Sequence, residues 1–385
     1  MTRGTLALLG SALALTACSD VSAPTAALPT DGAPLHAAAP GTAIDGDYII
    51  VLKDGADPRS VAAIAGVKPG FVYTAALNGF SASLNQGQLN ALQHNPNVEF
   101  VEEDARVQAT ATQSGATWGI DRIDQRARPL SGTYTYTSTA SNIRAYVIDT
   151  GIQASHTQFG SRAQNVYDAF GGSGADCNGH GTHVAGTVGS TTYGVAKGAM
   201  LRGVRVLDCQ GSGSSSGVLA GIDWVRLNHV KPAVANMSLG GGYSSAQNTA
   251  VTNLANAGVF VAVAAGNENQ NACNVSPASA SAVLTVAAST SSDARASYSN
   301  YGSCVDIYAP GSSITSTWLN NGTSSISGTS MASPHVAGVA ALYKATYGDA
   351  SQATINAWIV NNSTASVITG NPSGTPNLLL FKAAL

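Results

Sequence analysis

Charge is scarce in this chain: Asp, Glu, Lys and Arg make up 10% of its 385 residues, against 42 glycines and 44% hydrophobic residues. So little charge argues against a coiled coil or a fibrous array, and so much hydrophobicity against a disordered chain; a compact, turn-rich α/β domain with smaller appendages fits. Positive charge is not in excess either. A net charge of −3 offers nucleic acid no electrostatic footprint, so no such partner is expected. Beyond the first 18 residues no apolar run is long enough to span a bilayer. The little charge present is uneven: residues 1–110 hold 5 Lys/Arg and 10 Asp/Glu, while residues 111–385 hold 13 and 11.

The first 18 residues read as an export signal, with Arg3 ahead of the apolar run Leu6 to Ala17. Leu15-Thr16-Ala17-Cys18 resembles the lipobox of bacterial lipoproteins, which would make Cys18 an acylated N-terminus and anchor the precursor to a membrane. Ordinary cleavage after Ala12-Leu13-Ala14 is the alternative. Either way the product is exported, which permits disulfides among Cys177, Cys209, Cys273 and Cys304; four cysteines allow three connectivities.

Residues 19–46, rich in Ala, Pro, Thr, Ser and Gly, read as a flexible linker without packed structure. From Asp47 to Thr110 a small α+β module is expected, with strands at Tyr48–Leu52, Gly79–Leu84 and Val98–Val101 and helices at Ser60–Ala65 and Gln88–His94. From Ala111 to Leu385, buried apolar runs at 145–148, 204–207, 234–237 and 259–263 alternate with helical patterns such as Val218, Leu219, Ile222 and Val225. That alternation predicts a doubly wound, mostly parallel sheet flanked by helices. Ligands of such sheets bind beyond the carboxyl ends of the strands.

Three motifs fall there. Asp149 follows Tyr146-Val147-Ile148, at the end of a strand, where an Asp is commonly a turn or cap residue. His180 stands in NGHGTHVAGTVG at 178–189; a metal pair with His183 is a weak reading, since no Glu accompanies it as in HExxH sites. Ser330 stands in SGTSMASPHVAGVAALY at 327–343, where Pro334 fits the first turn of a helix and the serine could be a cap. A nucleophile there would gain from unpaired N–H groups and the helix field.

The order Asp, His, Ser is that of subtilisin. VIDTGI at 147–152, NGHGTHVAGT at 178–187 and GTSMASPHVAG at 328–338 resemble the three signature blocks of the subtilase family, closest to the proteinase K branch and its aqualysin-like enzymes. The resemblance implies an exported serine endopeptidase, monomeric and free of catalytic cofactor, that acts on proteins and peptides. Asp149, His180 and Ser330 would be its triad and Asn267, in AAGNEN at 264–269, its oxyanion side chain. It further implies that residues 47–110 are an inhibitory propeptide, cut near Thr110–Ala111, with Arg106 to Thr110 lying through the active site.

Gly211-Ser212-Gly213 and Ser238-Leu239-Gly240 would flank the substrate as strands. Small, uncharged walls at 238–240 and 264–266, from Ala264 to Gly266, leave no carboxylate for a basic side chain, so apolar or aromatic P1 residues are expected. Asp306 matches a calcium-binding Asp of the proteinase K branch, with the carbonyls of Ser281 and Val283. A second calcium site near Asp121, Asp124 and Gln125 is less well matched, because Ser131 and Thr133 replace carboxylate or amide ligands. The implied disulfides are Cys177 with Cys209 and Cys273 with Cys304, worth roughly 3 kcal/mol each in the entropic account. Two rivals fail on the residues. An α/β-hydrolase esterase needs G-x-S-x-G and the order Ser, Asp, His, and a catalytically dead binding protein would lack one of these side chains.

Overall fold

The computed structural model describes residues 32–38, 42–107 and 110–385, which divide into two compact units at Val107/Gln108. The signal segment with Cys18 and most of the proposed linker lie outside the described residues.

The smaller unit is a five-stranded sheet in the order Leu35–His36, Val98–Ala105, Ala43–Leu52, Gly79–Ser83, Val72–Tyr73. Helices Pro58–Ile64 and Gln86–Gln93 supply Val61, Leu89 and Leu92 to a core with Ile50, Phe80 and Val101. Each helix starts at a capping side chain: Asp57 accepts from Arg59 N–H, and Asn85 forms a capping box with Gln88. The sheet corrects the linker boundary. Leu35–His36 pairs in parallel with Val101 and Glu102, and Ala43 already faces Ala105, so part of the stretch taken as unstructured belongs to the sheet. Backbone pairing needs no hydrophobic pattern, and none was there to read.

The larger unit carries a nine-stranded sheet whose central strands run parallel in the order Leu378–Leu379, Ile307–Pro310, Leu284–Ser289, Phe260–Ala264, Ala233–Met237, Arg144–Asp149, Met200–Arg205, Ala163–Asp168; antiparallel Thr364–Ala365 ends it. Successive side chains go to opposite faces. Ala145 and Val147 join the core under helices His180–Gly189 and Thr329–Tyr347. Tyr146 and Ile148 join the core under helices Ser215–Asn228 and Ser245–Asn256. Both faces are covered, which explains why these strands read as continuous apolar runs. Gly258, with φ of 94°, turns the chain from the last of these helices into strand Phe260–Ala264.

The chain leaves strand Arg144–Asp149 for one side of the sheet and later returns to Ala233–Met237 on its other side. The switch point therefore lies between these two strands, and their carboxyl ends carry Asp149 and Ser238. Disulfides join Cys177 to Cys209 and Cys273 to Cys304, the pairing that the family resemblance implied. Among the described residues no helix is long and apolar enough to cross a membrane.

Candidate active site

Asp149 is the last residue of its strand and is fully buried. Its Oδ1 accepts Thr150 N–H at 2.8 Å and lies 2.8 Å from His180 Nδ1, while Oδ2 is buried without a partner among the described residues. Helix His180–Gly189 begins at His180 itself. Two glycines let it come so close: a Cβ on Gly179 would meet the Trp318 ring at 2.5 Å, and one on Gly181 would meet Gly151 C=O at 2.2 Å. Asp176, which the motif reading passed over, ties the approach together. Its carboxylate accepts from Thr150 Oγ1, the N–H groups of Asn178 and Gly179, and Thr182 N–H, capping the helix.

Burial lowers the His180 pKa, but the Asp149 charge, its hydrogen bond and the Asp176 charge outweigh it, so the net shift is upward from 6.5. His183, one turn on, faces elsewhere. It is fully buried with Nε2 2.9 Å from Ile314 C=O, so the two histidines share no metal.

Ser330 is the second residue of helix Thr329–Tyr347, not its cap; Gly328 occupies the cap. Pro334 is consequently the sixth helical residue, beyond the first turn where it was expected. Ser330 N–H has no hydrogen-bond partner among the described residues. Asn267 is oriented beside it. Its Oδ1 accepts Thr329 N–H at 2.8 Å and Thr329 Oγ1–H at 3.0 Å, which leaves the Nδ2 amide without a partner among the described residues. In this resting state Ser330 Oγ–H donates to Ser238 C=O at 3.2 Å.

A cleft of about 480 Å³ brings His180 together with Gly211, Ser212, Gly213, Ser238, Leu239 and Gly240. An adjoining one of about 300 Å³ joins Ser330 and Asn267 to Ala264 and Gly266. Both substrate segments thus meet the proposed triad, although Gly211 and Ser212 already spend their N–H groups on Asp208 in a turn. One expectation is corrected: Glu268 lines the second cleft, so it does hold a carboxylate, steered there by Asn300 Nδ2 at 2.8 Å. The signal was adjacent, one residue past Asn267, but a loop's fold-back decides where its side chain ends up.

A strand-end Asp, a helix-start His and a helix-start Ser at the switch point of a parallel sheet are an arrangement suited to acyl transfer by a serine hydrolase. The comparisons sharpen that class. The subtilase family matches residues 141–378 and the peptidase inhibitor I9 family matches residues 47–110. An extracellular serine proteinase of Thermus sp. (strain Rt41A) is 51% identical over 99% of both chains. A subtilisin-like serine protease of Sarocladium strictum is 51% identical over 91% of this chain and 92% of its own. The crystal structure of a cold adapted subtilisin-like serine proteinase, 49% identical, superposes with a TM-score of 0.69 over 71% of this chain and all of that one. The chain belongs to the subtilase family of serine peptidases and carries an I9 propeptide domain.

Proposed function

We propose that the protein is an exported endopeptidase in which Ser330 attacks the scissile carbonyl, His180 takes its proton and returns it to the leaving amine, and Asp149 orients the imidazole and stabilises its charged form. The observation that carries this is the 2.8 Å contact between His180 and a fully buried Asp149, at a cleft that adjoins the one Ser330 and Asn267 line. Asn267 Nδ2 and Ser330 N–H supply the oxyanion donors, aided by the positive end of a 19-residue helix. Small walls favour apolar or aromatic P1 side chains, and Glu268 admits lysine as a second choice. Residues 47–110 act as the inhibitory propeptide, with self-cleavage near Thr110–Ala111, where the larger unit's first strand, Ala111–Ser114, begins.

Calcium is proposed at Asp306 with the carbonyls of Ser281 and Val283. Asp306 is half-buried, accepts one hydrogen bond, from Thr285 N–H, and pairs with no cationic side chain among the described residues. A half-buried carboxylate with one hydrogen bond and no cationic partner suits a hard cation. The Asp121, Asp124 and Gln125 cluster does not fit: Ser131 and Gly132 donate to Asp121, while Thr135 N–H and Lys382 Nζ occupy Asp124.

Wild-type protein should react with a serine-directed fluorophosphonate and lose mass to the mature form, whereas Ser330→Ala should do neither and should hydrolyse no peptide. Intact mass also reports acylation of Cys18, and matched Phe and Lys P1 peptides report the specificity. Turnover by Ser330→Ala near that of wild type would reject the assignment.

A further inference from the structure

We infer that Asn236, Ser238 and Ser333 are positioning residues that hold Ser330 through a buried chain of hydrogen bonds, made necessary by Pro334. The inference rests on the reading of Ser330 as nucleophile.

A helical carbonyl accepts from the N–H four residues on. For Ser330 that residue is Pro334, which has no N–H and whose ring presses against the same carbonyl. The helix therefore leaves Ser330 C=O without its partner at the one residue where backbone placement matters most. Ser238 Oγ–H donates to it instead, at 2.7 Å. Ser238 Oγ accepts from Asn236 Nδ2 at 2.9 Å, and Asn236 Oδ1 accepts from Ser333 Oγ–H at 2.7 Å. Ser333 lies three residues past Ser330 on the same helix, so the chain closes into a ring.

All three side chains are buried, Asn236 at 1%, Ser238 at 3% and Ser333 at 0% exposure. Asn236 interrupts an otherwise apolar central strand, Ala233–Met237, and its side chain has no partners besides Ser238 and Ser333 among the described residues. Every donor and acceptor role in the ring is fixed by its neighbour, because an amide must give on one side and accept on the other. Ser238 also accepts Ser330 Oγ–H at its own carbonyl, so it touches the nucleophilic residue at two points. Fixing Ser330 C=O fixes the peptide plane that follows its Cα, and so restrains the Cα from which its Oγ and its oxyanion N–H both project. Misplacement of such groups by about 1 Å can cost about 10²-fold in rate.

The test exploits the proline. The effect of Ser238→Ala is measured twice, in the natural chain and in a Pro334→Ala background, where the restored N–H can bond Ser330 C=O directly. Readouts are the rate of fluorophosphonate labelling, which needs the nucleophile but little substrate recognition, and kcat and KM on a peptide p-nitroanilide. In the natural chain Ser238→Ala should slow labelling and kcat by roughly 10- to 100-fold with KM within about twofold, and in the Pro334→Ala background by less than about threefold. Equal loss in both backgrounds, or labelling at the wild-type rate in the first, overturns the inference. Should Ser238→Ala not fold, Ser333→Ala against Ser333→Thr decides the matter: only the variant lacking the hydroxyl should be slowed, and equal slowing overturns it. Absence of labelling in the wild type would instead strike the nucleophile assignment itself.

Discussion

His180 and His183 sit one turn apart on the same helix and differ in nearly everything that matters. A quarter of the His180 side chain is exposed to the cleft, and its inner nitrogen meets a buried carboxylate. His183 is sealed, with Nε2 shared between Ile314 C=O at 2.9 Å and Ser324 C=O at 3.2 Å and Nδ1 without a partner among the described residues. Burial pushes His183 down to about 4, opposed by the hydrogen bonds to those carbonyls and slightly reinforced by the neighbouring His180 charge. The same residue type becomes a proton carrier or an uncharged strut according to what its ring nitrogens face.

Substitution should separate the two roles. His180→Ala is expected to lower kcat/KM by about 10⁴- to 10⁶-fold, the scale on which a triad histidine acts. His183→Ala should instead destabilise the fold by about 2–4 kcal/mol, through a cavity and two stranded carbonyls, while the folded fraction keeps kcat within about tenfold. Steady-state kinetics and chemical denaturation on both variants check this. Comparable kinetic loss in both would erase the distinction.

That division was only half legible beforehand. Asp149, His180 and Ser330 could be read because each lies in a glycine-rich block at a strand end or helix start, where local sequence dictates local geometry. The alternating apolar runs likewise announced a parallel sheet covered on both faces. What could not be read depends on residues far apart in the chain. Glu268 reaches its cleft through Asn300, and Ser333 finds Asn236 across 97 positions. The pairing of Leu35–His36 with Val101 and Glu102 is a backbone event that side-chain periodicity does not report. Pro334 was misplaced because a helix start was inferred from the proline, whereas Gly328 sets it.

Acid should expose the contrast as two separate limbs. A general base must be neutral, so kcat/KM should fall as pH drops through the His180 value, which lies above 6.5. His183 and His335 act on stability instead. Burial lowers both to about 4, while the unfolded chain titrates at 6.5, so between these values the unfolded state binds more protons. Their contribution is present above 6.5 and is lost as pH falls toward 4, by about 3 kcal/mol for each histidine. His180, raised in the fold, adds stability below 6.5 that is lost as pH rises through its folded value. His183→Asn should flatten the decline of Tm between pH 6.5 and 4 and leave the kinetic limb in place; an unchanged Tm profile would remove His183 from the account.

The smallest expected effect carries the same lesson over to carboxylates. Asp121 and Asp124 are satisfied by N–H groups, a hydroxyl and the Lys382 ammonium, so the protein itself completes that cluster. Among the described residues Asp306 has only Thr285 N–H, and burial pushes its carboxyl up to about 6, which leaves its charged form in need of a cation. A ligand that binds only the folded state stabilises by mass action, about 2.7 kcal/mol at a hundred times its dissociation constant. For a domain of this size that corresponds to a Tm increase of roughly 5–10 °C on going from chelator to excess calcium. Asp306→Asn should abolish that increment and, in chelator, should match or slightly exceed wild type at pH 8, because the uncompensated charge is gone. Asp121→Asn should lower Tm by the same amount with and without calcium. Initial rates at low temperature should change little in either variant, since neither side chain touches the cleft. Identical melting of the wild type in chelator and in calcium would show that Asp306, like Asp121, needs nothing beyond the protein.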